Sequence, residues 1–181
     1  MLADWHLFIL MNGLGRSHTI SYPIISLPLR SKTVYDEPII RAGTPSDNEA
    51  IHAIEQSVFK EDPWSLEMIS QEIADDPSRK TWIMELGELM IGYCMVRSGP
   101  GEVHLINMAV EPSFQRMGLG KRMLDHFLDQ IPAKSSVFLE VKRGNFPAIN
   151  LYLGAGFEDV AIHEAYYKDG SDAIVMCLIK E

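Results

Sequence analysis

The stretch with the plainest chemical potential is Gln115-Arg116-Met117-Gly118-Leu119-Gly120-Lys121. Glycines at two alternating positions leave no side chain where a phosphate must approach the backbone. If a helix starts there, its first amides lack intrahelical partners and the positive end of its dipole faces the same anion. Arg116 and Lys121 add charge beside it. A Walker loop would need four residues between its glycines followed by Lys-Ser/Thr, and the dinucleotide fingerprint needs a third glycine, so nucleoside triphosphatase and dehydrogenase chemistry are not expected. On Gly-x-Gly alone, an ordinary glycine-rich helix start remains the stronger reading. His104, His126 and His163 have no metal-ligand spacing. Cys94 and Cys177 lie far apart in strand-like surroundings, which fits two buried free thiols in a reducing compartment better than a disulfide or a zinc cluster.

For such a loop to present its amides, a strand must deliver it and a helix must follow. Residues 103–110 read as that strand and 118–130 as that helix. Upstream, residues 39–42 predict a short strand, and Thr44-Pro45-Ser46-Asp47 a capping box with proline at the first helical position. Ala50, Ile51, Ile54 and Val58 recur at three- and four-residue spacing, which predicts a helix with one buried face. Asp62-Pro63-Trp64-Ser65 interrupts it, and Ser65 can cap a second helix with Leu66, Ile69 and Ile73 inward. Residues 81–86 and 89–97 flank Gly87-Glu88, a pair suited to a type II′ hairpin turn. Downstream come a strand over 136–142, a helix ending near 153, and a strand pair, 157–166 and 173–179, joined across Lys168-Asp169-Gly170-Ser171. A helix joins the fourth strand to the fifth, so those two should be parallel neighbours through a right-handed crossover, while the rest can be antiparallel. The expected fold is α/β in the wider α+β sense: a mixed, mostly antiparallel sheet of about seven strands with helices on both faces.

The chain has 181 residues, 46% hydrophobic and 23% charged, which suits one domain of ordinary size and excludes a disordered or coiled-coil chain. Its 16 Lys+Arg against 25 Asp+Glu give a net charge of −9, without the broad positive field that nucleic-acid binding requires. Such a surface favours a basic partner through steering. Residues 1–37 differ from the rest: a short apolar run at 7–11 sits among Gly13, Gly15, Pro23 and Pro28, and no period lasts. That run is far below the roughly 20 residues a membrane span needs. Asp4 precedes it and Arg16, the first basic residue, follows it, opposite to a signal peptide. The expectation is an N-terminal extension over 1–37 ahead of a domain at 38–181, in a cytoplasmic protein that engages no membrane. A tail that is disordered or packs loosely on the domain, an unusual targeting segment and a start codon assigned too early all stay open for the extension.

The surroundings of the loop add a resemblance. Val110-x-Pro112-x-x-Gln115-Arg116-x-Gly118-x-Gly120 resembles the acetyl-CoA pyrophosphate motif of the GNAT superfamily of N-acetyltransferases. Leu139-Glu140-Val141-Lys142-Arg143-Gly144-Asn145, followed by Ala148-Ile149-x-Leu151-Tyr152-x-x-x-Gly156-Phe157, is similar to its ribosomal-protein-alanine N-acetyltransferase (RimI) branch. Pro63-Trp64-Ser65 and Tyr166-Tyr167 with Asp172-Ala173 agree, and the resemblance covers about residues 39–178. It implies acetyl-CoA as co-substrate, no metal, and a sheet whose fourth and fifth strands splay apart to admit the cofactor. By the same resemblance the backbone of Met108, Ala109 and Val110 lies along the pantetheine arm. Arg116, Met117, Gly118, Leu119, Gly120 and Lys121 wrap the pyrophosphate. Asn145 meets the cofactor again, a role compatible with capping the helix before Pro147.

Moving an acetyl group from a thioester to an amine needs an unprotonated nucleophile, a donor for the developing oxyanion and a proton for the departing thiolate. The resemblance implies Glu140 as the base and Tyr152 as the acid. Glu140 alternates with Leu139 and Val141 and so faces away from them. An α-amino group with a pKa of roughly 7.7–8.0 needs only modest help. Proton transfer from a phenol near about 10 to a thiolate whose acid lies near about 8.5 is uphill, so hydrogen bonding during departure carries weight. Each also has a plain structural reading: a solvated strand glutamate, and a tyrosine packed on the sheet. The amide of Val110 is the expected oxyanion donor. The acceptor, a protein or peptide N-terminus such as the alanine of a ribosomal protein, is expected beside Pro63, Trp64, Tyr166 and Tyr167; core packing or loop anchoring explains these four equally well. The alternatives are acetylation of a small amine or lysine side chain, and an acyl-CoA-binding module without catalysis. Retention of both Glu140 and Tyr152 counts against the last.

Overall fold

The computed structural model describes residues 37–181, so all of the expected extension except Glu37 lies outside the described residues. The strands are β1 (Ile39–Ala42), β2 (Arg79–Leu86), β3 (Leu89–Gly99), β4 (Glu102–Val110), β5 (Ser136–Lys142), β6 (Glu158–His163) and β7 (Ala173–Ile179). The helices are α1 (Asn48–Val58), α2 (Leu66–Glu72), α3 (Leu119–Asp129) and α4 (Phe146–Gly154). One sheet takes the order β1-β2-β3-β4-β5-β7-β6. β4 and β5 run parallel, with α3 as the crossover, and the other neighbours are antiparallel.

Both sheet faces are covered. Ile51 and Ile54 of α1 and Ile69 of α2, with Ile73 beyond it, pack on Ile83, Tyr93, Met95 and Ala109. On the other face Met123, Leu124 and Phe127 of α3 and Tyr152 of α4 pack on Trp82, Met84, Cys94, Leu105 and Leu139. Trp82 and Met84 thus point one way and Ile83 the other, the period of two that a pleated strand imposes. Ala50 and Leu66, expected on the inner faces, are exposed. Gly87 takes φ 62°, as the expected β2–β3 turn requires.

Two elements differ from expectation. The capping box opens a 3-10 turn, Pro45–Asp47, before α1 proper begins. The first strand of the last pair stops at His163 rather than 166, because Ala165 adopts φ 49°, which an extended strand cannot continue. The loop is closed instead by Asp172, which accepts from the Ala165 amide at 3.1 Å, and by the Tyr167 amide donating to Ser171 O at 3.0 Å.

Asp47 clamps the β1–α1 connection. It accepts from the Thr44 amide at 2.7 Å and from Arg41 at 2.7 Å, while Arg41 also donates to Glu85 on β2 at 2.9 Å. The Arg41 guanidinium holds the Asp47 carboxyl down at about 2. Its folded pKa lies below the unfolded value of about 3.9, so the stabilisation is present above that value and is lost as pH falls toward about 2. Arg41→Met should therefore lower the melting temperature at pH 7 by about 2–4 °C per kcal/mol lost. The difference from wild type should shrink on acidification. Thermal melts check this, and a deficit independent of pH would sink it.

Candidate active site

β4 and β5 are paired only from Glu102↔Ser136 to Leu105↔Leu139. Beyond that, residues 106–110 stay beside β3 and β5 continues beside β7, so a gap opens between two strands that began as neighbours. The cause is local. Ile106 is an extra residue opposite the Met95–Val96 step of β3, and such a bulge bends and twists its strand. It also changes the phase: Val103 and Leu105 face the α3/α4 core, whereas Asn107 and Ala109 meet the α1 side. Just past β4 the Glu111 amide donates to Ile91 O at 2.9 Å, so alternation turns the amides of Met108 and Val110 toward the gap. Ala109, expected along the cofactor arm with its neighbours, has its polar backbone turned into β3. Gly92 faces Val110, and a Cβ there would stand 2.8 Å from Ala109 O, so only glycine lets β3 come this close. Sequence reasoning missed Gly92.

The glycine loop follows. Gln115 Nε2 donates to Val110 O at 2.9 Å and ties the loop to the strand end. Arg116 and Gly118 take φ 61° and 80°, and α3 starts at Leu119. Its first rung is Arg122 N–H to Gly118 O at 3.0 Å, which leaves the amides of Leu119, Gly120 and Lys121 without helical partners. Gly118 is demanded by its left-handed backbone. Gly120 is not: a Cβ there would meet only Leu151 Cδ2 at an ordinary 3.6 Å, so what its bareness preserves is approach from outside. Met117 is 66% exposed. Lys121, expected to add charge beside the loop, instead pairs along the helix with Asp125 at 2.6 Å, since residues four apart share a face. Free amides at a helix start and an unpaired strand edge beside it fit a pyrophosphate joined to an extended, amide-bearing arm.

Glu140 alternates with Val137, Leu139 and Val141, which are buried in the α3/α4 core, so its half-buried side chain faces the α1 side. Tyr152 lies on the other face, 8% exposed, its ring 5.8 Å from Phe157. Burial pushes its phenol well above the ordinary value, with Cys94 and Tyr167 adding to the effect. Cys94 is the β3 partner of Met108, so Tyr152 sits under the part of β4 that β5 has left. Burial pushes Tyr167 up to about 12, helped by Tyr166, Glu140 and Asp169. Tyr167 is thus within electrostatic reach of both candidates, which lie on opposite faces of the sheet. Asn145 caps α4, its Oδ1 accepting from the Ala148 amide at 3.3 Å.

Two loops border the Glu140 side. Pro63 and Trp64, between α1 and α2, are half-buried, and Trp64 packs on the α1/α2 core. Tyr166 is 53% exposed, edge-on to Tyr167 at 5.2 Å, and its phenol is raised by burial and then by Glu140. Lys142 Nζ lies 5.5 Å over the Tyr167 ring and pairs with Asp169. Lys168 pairs with Asp62, linking the two loops. A further residue escaped sequence reasoning. Glu55 of α1 is 1% exposed and accepts from the Trp64 amide at 2.8 Å, from Asn107 Nδ2 at 2.7 Å and from the Tyr93 hydroxyl. Its signal was a carboxylate inside the apolar stripe of Ile51, Ile54 and Val58.

Among the described residues no helix is long and apolar enough to cross a membrane, and no group of three or more His, Cys, Asp or Glu could hold a metal ion. The acetyltransferase (GNAT) family matches residues 48–157. The chain is 34% identical over 117 residues to the ribosomal protein bS18-alanine N-acetyltransferase of Escherichia coli K12, covering 56% of this chain and 79% of that protein. It is 31% identical over 151 residues to the N-alpha-acetyltransferase RimI of Mycobacterium tuberculosis, covering 80% and 94%. The crystal structure of the ribosomal-protein-S18-alanine N-acetyltransferase from Escherichia coli superposes with a TM-score of 0.73 at 30% identity, over 78% of this chain and 93% of that one.

Proposed function

The chain belongs to the acetyltransferase (GNAT) family, and from that premise we propose that it acetylates the α-amino group at a protein N-terminus, foremost an N-terminal alanine of a ribosomal protein. The observation that carries this reading is the gap between β4 and β5, bordered on the Glu140 side by two loops that carry Trp64, Tyr166 and Tyr167. Acetyl-CoA supplies the acetyl thioester when bound. The amides of Leu119 and Gly120, with Arg116, hold the pyrophosphate, and the edge of β4 at Met108 pairs with the arm. Glu140 takes the proton that keeps an ammonium from attacking, directly or through water. The Val110 amide donates to the oxygen where negative charge collects. Tyr152, kept protonated by burial, donates toward the departing sulfur.

On the acceptor side Asp169 pairs with Lys142 and Asp62 with Lys168, so the preference for a cationic acceptor rests on Glu61 and on the net charge of the whole chain. Glu61, Asp62 and Asp169 all lie close enough to raise the Lys142 ammonium, Asp169 foremost, and the whole chain carries −9. An amino terminus followed by basic residues suits that mouth. A ribosomal substrate also puts the enzyme in the cytoplasm, with residues 38–181 as the catalytic domain.

Thiol release from acetyl-CoA tests the reading against a panel: free-amino peptides beginning with alanine, the same peptides amino-blocked but carrying lysine, and small amines. Turnover of the free-amino peptides is expected. Turnover confined to small amines or to lysine would overturn the substrate, and coenzyme binding without thiol release would overturn catalysis.

A further inference from the structure

Among the described residues three carboxylates are buried: Asp47, Glu55 and Glu72. Asp47 is held by Arg41 and Glu72 by Arg97, which explains their burial. Glu55 has no such cation; its three donors are neutral and come from three separate segments. Oε2 takes the amide of Trp64, in the loop between α1 and α2. Oε1 takes Asn107, which stands between the bulge residue Ile106 and Met108 on the splayed part of β4, together with the Tyr93 hydroxyl on β3. One carboxylate therefore spans the loop that borders the acceptor side and the strand that borders the donor side. Burying it without a cation is costly unless every lone pair is used.

We propose that Glu55 is a positioning residue: it fixes the Trp64 loop against β4 and so sets how the acceptor amine is bound relative to the thioester. This rests on the reading that Trp64 borders the acceptor. A carboxylate suits the task because both oxygens only accept. Glutamine is then a selective break. With its Oε1 kept toward Asn107 and Tyr93, its amide group faces the Trp64 N–H, and an accepted hydrogen bond becomes a contact between two donors. Tyr93→Phe is the control, since it removes a donor from the same carboxylate and leaves the Trp64 tie in place.

Glu55→Gln should raise the acceptor KM about tenfold, the scale of one lost hydrogen bond to a charged group, with the affinity for acetyl-CoA kept. The Trp64 amide should exchange faster with solvent. Tyr93→Phe should lower the melting temperature yet leave acceptor KM and Trp64 protection as in wild type. If both variants move KM alike, or the Trp64 amide keeps its protection in Glu55→Gln, the residue is a core group and the proposal falls. Should Glu55→Gln not fold, Asn107→Ser loosens the strand end of the same tie, and an unchanged acceptor KM there overturns it too. The kinetic readout uses whichever amine the wild type turns over, and amide exchange needs no substrate. A wild type active only on small amines would therefore refute the peptide reading without touching this one.

Discussion

Gly120→Trp is expected to abolish acetyl-CoA binding while the protein stays folded. Position 120 lies in the first turn of α3 with ordinary helical backbone, and its outward space holds nothing nearer than Leu151 at 3.6 Å. An added Cβ therefore fits there, and removing a glycine from a helix offsets part of the cost of a larger side chain, so the protein should stay folded. The indole would occupy the space through which a phosphate reaches the amides of Leu119 and Gly120 in the proposed site. Calorimetry should record no heat on titration with the coenzyme, and a cooperative thermal melt should show the protein folded. Gly118→Ala is the contrast: φ 80° makes it a strained backbone position, and its loss should appear chiefly as lower stability, on the order of 1 kcal/mol. Full coenzyme affinity in Gly120→Trp would remove the pyrophosphate from this loop.

Glu140→Gln should lower kcat by about 10²-fold or more, the usual contribution of a positioned base, with the coenzyme affinity unchanged. The pH dependence carries the sign. Without the carboxylate, turnover relies on amine that is already unprotonated, so the deficit should be deepest below the amine pKa of about 8 and shrink above it. As the proposed acid, Tyr152 bounds the other limb. Burial raises its phenol, so the protonated form persists to higher pH than a free tyrosine allows, and wild-type activity should show no fall from this group up to its ordinary value of about 10. Tyr152→Phe should slow turnover across that whole range. Steady-state rates from pH 6 to 10 check all three; an equal deficit at every pH for Glu140→Gln would remove its assignment as the base.

Much of the architecture was readable residue by residue. The Thr44–Asp47 box, the Ser65 cap, the Gly87 turn and the Gly118 helix start depend on a few neighbouring residues and their backbone preferences, and each formed where its residues stand. The carboxylate at 140 was assignable to a face because a strand alternates. The Lys121–Asp125 pair was legible too, since four residues separate them on one helix, and it went unread.

Other features had no local signal. Placement of β7 between β5 and β6, the bulge at Ile106 and the close approach that makes Gly92 necessary arise where distant strands meet in register. Tyr152 could be named as a phenol, but its raised pKa required knowing that α4 presses it under β4. Glu55 gathers donors 9, 38 and 52 positions away, which no window of sequence contains. The linear chain therefore specified its elements and its loop chemistry, because those follow from stereochemistry within a few bonds, while the candidate acid and base came from the motif's resemblance to the family. The width of the gap and the groups that hold its two sides depended on packing and hydrogen bonds between segments that become neighbours only on folding.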